Sequence, residues 1–140
     1  MSVNVLYRTT ARATGGRDGH AETLDGRFKV DLGTPKELGG NDQGNNPEQL
    51  FAAGYAACFL GAMKFVAQQE KISIPTQASV QVTVGLGPRS DGGFGLEVSI
   101  EASLPGMDAP QAKSLLEKTE HVCPYANATR NNIKTMVQLS

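Results

Sequence analysis

Two cysteines, Cys58 and Cys123, carry the side chains of this chain that are best suited to covalent chemistry. A thiolate attacks peroxides and disulfides, and it is also a soft metal ligand. The first residues lack the apolar run of a secretion signal, so we expect a cytoplasmic protein. In that reducing compartment two cysteines favour a catalytic, redox or metal-binding role over a structural disulfide. The two thiols lie far apart in the chain, and only the fold can bring them together.

Cys58 lies within a predicted helix that begins at Asn46. Asn46 is a favourable N-cap, Pro47 suits the first turn, and Gln49 completes a capping box. Residues 50–63 contain no charge and are apolar or small on every face, which predicts a buried core helix. The run is too short to favour a membrane span. Small residues four apart predict a smooth ridge that another helix can approach closely: Ala53, Ala57 and Gly61.

The position of Cys58 in this helix means that its thiol needs help to ionise. It lies about eleven residues, or roughly 16 Å of rise, beyond the helix start. The helix dipole acts only within the first turn, and apolar burial would raise the pKa of the thiol. A cation must therefore be brought to it. The candidates are Arg12, Arg17, Arg27 and Arg130, and sequence physics does not choose between them.

Glu48 is the acidic residue in the first turn of the same helix, a position that the helix dipole favours. Helix geometry separates it from Cys58 by about 15 Å along the axis and some 80° around it. Within one helix the two side chains cannot touch. A site that contains both residues needs a second copy of the helix, antiparallel and offset from the first.

The remaining patterns predict an α+β domain with the order β-β-β-α-β-β-α-β, in a single domain of residues 1–140. Strands are predicted at residues 2–9, 20–24, 27–32, 80–86, 94–104 and 133–139. Residues 13–20 read as a glycine-rich hairpin loop, and Asp25-Gly26 as a two-residue turn. Residues 33–45 read as a long loop that borders a pocket or serves as a crossover. The second helix begins at Asp108 and ends at Cys123-Pro124, with an inner stripe at Ala112, Leu115, Leu116, Thr119 and Val122.

Three separated segments resemble the organic hydroperoxide resistance branch of the OsmC-like superfamily. They are ATGGRDGHA at residues 13–21, NPEQLFAAGYAACF at residues 46–59 and VCPYANATRNN at residues 122–132. The resemblance covers essentially the whole chain. The first segment and the intact NPEQ favour this branch over the osmotically inducible OsmC-type peroxidases. Ala126 departs from the serine that we expect in the family's CPYS pattern.

This resemblance implies a thiol-dependent peroxidase that acts on organic and fatty-acid hydroperoxides. By matching position, Cys58 is the peroxidatic cysteine, Cys123 the resolving cysteine, Arg17 the residue that stabilises the thiolate, and Glu48 the residue that orients Arg17. The family also implies an intertwined homodimer, in which two long central helices are wrapped by antiparallel sheets and the active sites lie at the subunit interface. It further implies that a lipoylated protein or dihydrolipoamide reduces the oxidised protein again, and that no cofactor or metal takes part. Apolar residues near the thiol are expected to line a pocket for alkyl tails: Leu50, Phe51, Tyr55 and Phe59.

Two other classes of function are compatible with the same residues. A metal-binding module would use Cys58, Cys123, His20 and His121, although their spacings match no zinc framework. A non-catalytic dimeric lipid carrier would use both thiols only for packing. The net charge of -1 indicates neither a nucleic-acid partner nor an anionic membrane surface.

Overall fold

A computed structural model describes residues 2–140, which divide into two compact units, residues 2–50 and Phe51–Ser140. The described chain contains six β-strands and three α-helices, in agreement with the predicted α+β class. The expectation of a single domain stays a prediction.

The first unit contains a three-stranded antiparallel sheet in the order β1-β2-β3. The strands are β1 (Ala11–Thr14), β2 (His20–Thr23) and β3 (Lys29–Asp31). Ala21 of β2 is paired with Ala13 on one side and with Val30 on the other. Residues 32–46 follow without a strand of their own and contain one turn of 3₁₀ helix, Lys36–Leu38, as the absence of periodicity predicted.

The prediction of a first strand at residues 2–9 is wrong, because this segment has no regular secondary structure. Its apolar side chains at Val3, Leu6 and Tyr7 are exposed, so the alternating pattern has no surface to pack against. The strand that pairs with β2 is instead Ala11–Thr14. The glycine-rich hairpin loop predicted at residues 13–20 is confirmed in a shorter form. It joins β1 to β2 and contains a 3₁₀ turn at Gly16–Asp18.

The turn between β2 and β3 is longer than the two residues predicted. Thr23 donates its backbone N–H to the carbonyl of Phe28 at 2.9 Å, which leaves four residues in the loop. The carboxylate of Asp25 accepts hydrogen bonds from the Thr23 hydroxyl (2.7 Å) and the Arg27 N–H (3.0 Å). Such side-chain bonds stabilise a wider turn than residue type alone suggests.

Helix α1 spans Pro47–Gln69 and begins as predicted. The Gln49 N–H donates to Asn46 Oδ1 at 2.9 Å, and the Asn46 N–H donates to Gln49 Oε1 at 3.0 Å, which is a reciprocal capping box. By length and composition alone α1 could cross a membrane, a test that core helices of soluble proteins also pass.

The prediction that α1 is buried on every face is wrong for the single chain. One side is buried, with Tyr55, Phe59 and Met63 fully enclosed. The opposite side is exposed along Ala53, Ala57, Gly61 and Phe65. Hydropathy did not separate the two sides because the exposed residues before Phe65 are small rather than polar.

The second unit contains a sheet in the order β4-β5-β6. The strands are β4 (Ser79–Pro88), β5 (Phe94–Ser103) and β6 (Thr135–Leu139). β4 and β5 form a long antiparallel pair that is centred near Val82 and Ile100, as their alternation predicted. β6 lies parallel to β5 on its other side, with Val137 opposite Ile100.

Helix α2 spans Ala109–Val122, and a short helix α3, Pro124–Thr129, follows it directly. Asp108 caps α2 by accepting from the Gln111 N–H at 3.2 Å. The predicted inner stripe is buried except for Val122, which is 40% exposed. α3 is absent from the predicted order. Pro124 ends α2 and also occupies the first turn of a new helix, a position that proline favours.

One hydrophobic core holds the second unit together. It is formed by the buried faces of α1, β5 and α2, and Cys123 lies within it. Its largest fully buried side chains include Tyr55, Phe59, Met63, Ile100 and Leu115. Side chains of this size stabilise a fold by about 1.5–3 kcal/mol each when fully buried. The core therefore provides a rigid support for the two sulfur atoms.

Candidate active site

The two cysteines that are distant in sequence meet in the second unit. The Sγ atoms of Cys58 and Cys123 lie 3.6 Å apart, and both thiols are free. Cys58 lies on α1 and is partly exposed, whereas Cys123 is fully buried at the junction of α2 and α3. A closing movement of about 1.5 Å would bring these atoms to the length of a disulfide bond. The geometry is that of a reduced dithiol that can form an internal disulfide.

The surroundings of Cys123 keep its thiol protonated. Burial raises the pKa of Cys123 and outweighs the opposite effect of the backbone amides of Tyr125 and Ala126. Cys123 lies at the carbonyl end of α2, whose own amides point away from it. Cys123 is also the N-cap residue of α3, which explains why the amides of Tyr125 and Ala126 face it.

The two thiols differ in exposure. An external electrophile can reach the partly exposed Cys58, while the protonated and enclosed Cys123 is protected from it. If Cys58 were oxidised, the neighbouring Cys123 sulfur would be the closest available nucleophile. The geometry therefore distinguishes an accessible thiol, Cys58, from an enclosed one, Cys123.

Three aromatic rings lie beside the dithiol in the second unit. Phe51 is stacked with Tyr125 at 6.1 Å between ring centroids, and Tyr55 meets each of them edge-on at 5.7 Å. The Tyr125 ring packs over Gly54, where a Cβ would stand in ordinary van der Waals contact with it at 3.5 Å. These contacts fix the first turns of the helix that lead to Cys58.

A buried hydroxyl pair adjoins the same cluster. Tyr55 Oη and Thr129 Oγ1 are 3.2 Å apart, and Thr129 Oγ1 also donates to the carbonyl of Ala126 at 3.3 Å. Burial raises the pKa of Tyr55, so its hydroxyl stays protonated. A cavity of about 180 Å³ borders the pair, lined by Tyr55, Phe59, Glu120, Thr129, Arg130 and other residues.

Arg17 and Glu48 form a bidentate ion pair in the first unit. Arg17 Nη1 and Nη2 donate to the two carboxylate oxygens of Glu48 at 2.8 and 2.7 Å. The hydrogen bonds from Arg17 lower the pKa of Glu48, and those to Glu48 raise the pKa of Arg17. Arg17 lies in the glycine-rich 3₁₀ turn and Glu48 in the first turn of α1. The structure pairs these two residues, and their expected roles toward Cys58 stay predictions.

The other candidate cations have different surroundings. Arg130 donates to the backbone carbonyl of Glu120 at 2.8 Å and to Asn127 Oδ1 at 3.3 Å, so it ties α3 to α2. Arg12 lies on β1, and Arg27 lies in the turn before β3. Of the four candidates, Arg17 is the one that forms an ion pair with a carboxylate within residues 2–140.

The expected pocket residues differ widely in exposure. Tyr55 and Phe59 are fully buried, whereas Leu50 and Phe51 are partly exposed. Their assignment to a substrate pocket stays a prediction. Within residues 2–140, no three potential metal ligands among histidine, cysteine and acidic side chains are gathered at one place.

Sequence reasoning missed the residues of α3 that surround Cys123. Tyr125 and Thr129 make the aromatic and hydroxyl contacts described above. The signal that points to them is Pro124, which can begin a helix as well as end one. A helix of six residues has too little periodicity to be recognised by pattern alone.

Comparison with known proteins identifies the family. A model of the OsmC-like protein family matches residues 39–138. An organic hydroperoxide resistance protein from Xanthomonas axonopodis pv. citri is 50% identical over 137 residues, which cover 97% of this chain and 96% of that protein.

Two solved structures of organic hydroperoxide resistance proteins have the same fold as this chain. An organic hydroperoxide resistance protein from Legionella pneumophila is 46% identical, with a TM-score of 0.93 over 98% of this chain and 99% of that one. Another, from Elizabethkingia anophelis, is 45% identical, with a TM-score of 0.93 over 99% of each chain. Identity and fold agree over nearly the full length, so this chain belongs to the organic hydroperoxide resistance branch of the OsmC-like family.

Proposed function

We propose that this protein is a cysteine-dependent peroxidase that reduces organic and fatty-acid hydroperoxides to alcohols. The observation that carries the proposal is the pair of free thiols with Sγ atoms 3.6 Å apart, of which Cys58 is partly exposed and Cys123 is enclosed. The names of the relatives support a role in peroxide detoxification.

The reaction begins with the thiolate of Cys58, which attacks the distal oxygen of the hydroperoxide. The O–O bond breaks, an S–O bond forms, and the leaving alkoxide takes up a proton to become an alcohol. Cys58 is left as a sulfenic acid. Cys123 then attacks the Cys58 sulfur, forming the S–S bond and breaking the S–O bond. The thiol proton of Cys123 leaves with the hydroxide as water.

Arg17 stabilises the Cys58 thiolate and the departing alkoxide in this mechanism, and Glu48 fixes the direction of its guanidinium. The bidentate contact between Arg17 and Glu48, at 2.7 and 2.8 Å, supports these roles. Helix geometry keeps Glu48 about 15 Å from Cys58 of the same α1. The ion pair of one copy therefore acts on the thiol of another, in a homodimer with active sites at the subunit interface. The exposed ridge of small residues on α1 supports such an assembly.

A dithiol reductant completes the cycle. Its first thiolate attacks the Cys58–Cys123 disulfide, and its second thiol releases the reduced protein, so that the reductant ends as a disulfide. The family resemblance supports a lipoylated protein or dihydrolipoamide in this step, in the reducing cytoplasm. The substrate pocket, with Leu50, Phe51, Tyr55 and Phe59, favours alkyl tails over hydrogen peroxide.

Titration of free thiols tests the peroxidase activity. One equivalent of cumene hydroperoxide should consume two thiols per chain and yield one equivalent of alcohol. Cys58→Ser should abolish this reaction, whereas Cys123→Ser should react once and stall as a sulfenic acid that dimedone traps. If the thiols of the parent protein are unchanged by the hydroperoxide, the protein is a non-catalytic carrier and the proposal fails.

Steady-state kinetics test the reductant. Turnover of cumene hydroperoxide should be sustained by dihydrolipoamide and should be much slower with thioredoxin or glutathione at equal thiol concentration. The same assay with hydrogen peroxide should give a lower kcat/KM than with an alkyl hydroperoxide. Equal turnover with glutathione would contradict the choice of a lipoyl reductant while leaving the peroxidase chemistry intact.

A further inference from the structure

The hydroxyl pair Tyr55–Thr129 lies between the two elements that carry the sulfur atoms. Tyr55 is three residues before Cys58 on α1, so both side chains lie on the same side of the helix. Thr129 is the last residue of α3, and Cys123 is the N-cap of that helix. The hydroxyl contact of 3.2 Å thus connects the support of one sulfur to the support of the other.

α3 needs such a connection because it is short. A helix of six residues is unstable by itself and keeps its position only through tertiary contacts. The cavity of about 180 Å³ reaches Ala126 and Thr129, so α3 is not closely packed on that side. Apart from the contact between the Cys123 and Cys58 thiols at the N-cap of α3, no other side-chain hydrogen bond joins α1 to α3 within residues 2–140.

The direction of this hydrogen bond follows from the partners of Thr129. The Thr129 hydroxyl donates its single proton to the Ala126 carbonyl, and it therefore accepts from Tyr55. Both side chains are almost fully buried, with Tyr55 0% and Thr129 6% exposed. A hydrogen bond without competing water holds its geometry well, and its loss would leave a buried polar group unpaired.

We propose that the Tyr55–Thr129 hydroxyl pair positions the Cys58–Cys123 dithiol, holding the two sulfurs close enough for rapid formation of the disulfide. In this step the hydroxyls of Tyr55 and Thr129 have a positioning role, because they act through the two sulfurs. Holding α3 against α1 raises the effective concentration of Cys123 at the Cys58 sulfur. The inference deepens the proposed peroxidase function in its resolving step, although the disulfide equilibrium itself involves no peroxide.

The first test measures the thiol–disulfide equilibrium against dithiothreitol, in which the protein dithiol becomes a disulfide as oxidised dithiothreitol is reduced. Tyr55→Phe and Thr129→Val remove the hydroxyl pair with little change in shape. Each should lower the equilibrium constant for forming the internal disulfide by about three- to tenfold, the worth of one net hydrogen bond. A tenfold loss corresponds to a potential shift of about 30 mV.

Two controls separate positioning from general damage. Thr129→Ser keeps the hydroxyl and should retain an equilibrium constant within about twofold of the parent. Tyr125→Phe removes a phenol from the same aromatic cluster, where it has no hydrogen bond within residues 2–140, and should leave the equilibrium unchanged. Urea unfolding of each reduced variant shows whether it is folded under the conditions of the assay.

The second test follows one turnover with cumene hydroperoxide. Thr129→Val should form the Cys58 sulfenic acid at the parent rate and close the disulfide more slowly, so that dimedone traps more sulfenic acid. Parent-like values of the equilibrium constant in both variants would overturn the inference. If neither the parent protein nor the variants react with the peroxide, the proposed function fails. The equilibrium with dithiothreitol still tests the positioning role in that case.

Discussion

Arg17 is held through both terminal nitrogens, which gives its positive charge a fixed direction. Lysine cannot reproduce this contact, because an ammonium group offers a single point of charge rather than a planar fork. In the proposed mechanism, Glu48 orients the guanidinium of Arg17, and the positive charge of Arg17 also stabilises the Cys58 thiolate.

Replacement of Arg17 tests its part in activating Cys58. Arg17→Ala should slow the reaction of Cys58 with cumene hydroperoxide by about 100-fold or more, since a preorganised donor is lost. Glu48→Ala should slow the reaction less, because the charge of Arg17 remains. Stopped-flow measurement of sulfenic acid formation over a range of pH checks both. A parent-like rate in Arg17→Ala would show that another cation activates the thiol.

Glu48 makes a pH-dependent contribution to stability whose sign follows from its ion pair. Hydrogen bonds from Arg17 lower the pKa of Glu48 in the folded state. The stabilisation is therefore present above the unfolded pKa of a glutamate, about 4.3, and is lost as the pH falls through the folded pKa. Because the Arg17 side chain is 40% exposed, the effect should stay below about 1 kcal/mol.

Urea unfolding at several pH values between 3 and 7 checks this contribution. The parent should lose stability more steeply on acidification than Glu48→Gln, which has no carboxylate to protonate at that position. Asp91→Asn removes one side of an exposed ion pair with Arg89 and serves as the matched control. Identical pH profiles for the parent and Glu48→Gln would contradict the expected role of the ion pair.

At the level of elements, α1 both carries Cys58 and provides part of the core on which Cys123 rests. Its start is defined by the reciprocal hydrogen bonds of Asn46 and Gln49. Its buried side, with Tyr55, Phe59 and Met63, faces the core of the second unit. The position of Cys58 relative to the sheet is therefore determined by packing along several turns of helix.

Removal of the N-cap tests how much the start of α1 contributes. Asn46→Ala leaves the Gln49 N–H without its partner and should lower the free energy of unfolding by about 0.5–2 kcal/mol. Asn4→Ala changes an exposed asparagine outside any regular element and should have almost no effect. Urea denaturation of the three proteins checks this. Equal stability of Asn46→Ala and the parent would show that packing alone defines the helix start.

For the whole molecule, the exposed side of α1 is the feature that most clearly calls for a partner. Ala53, Ala57 and Gly61 form a ridge of small residues, and Phe65 continues it with half of its surface exposed. Small residues allow close approach of a second helix, and a second copy of this chain would bury the ridge symmetrically. The expected homodimer follows from this surface and from the separation of Glu48 and Cys58 along α1.

A bulky charge on the ridge tests the homodimer. Gly61→Arg places a long cation where a Cβ would meet nothing within 4 Å in the single chain, so the chain should still fold. The parent should have the mass of two chains in light scattering after size-exclusion chromatography, and Gly61→Arg the mass of one. Ser114→Arg, on an exposed part of α2, should remain dimeric. A monomeric parent, or a dimeric Gly61→Arg, would contradict this interface.

The sequence alone determined the features that depend on local chemistry. The capping box of α1, the Asp108 cap of α2 and the alternation of β4 and β5 follow from neighbouring residues, and the structure confirms each. The family motifs also paired Arg17 with Glu48. Local patterns gave a wrong prediction where a strand needed a distant partner. Residues 2–9 alternate as a strand does, but their apolar side chains have no surface to pack against in the single chain.

Only the tertiary structure decided how the distant parts meet. It brings the Cys58 and Cys123 sulfurs to 3.6 Å, places Cys123 at the start of α3, and pairs Tyr55 with Thr129. No spacing in the chain encodes these contacts, because each joins residues on different elements. They arise from the packing of α1, α2 and β5 around one core, where shape and burial rather than sequence separation set the distances.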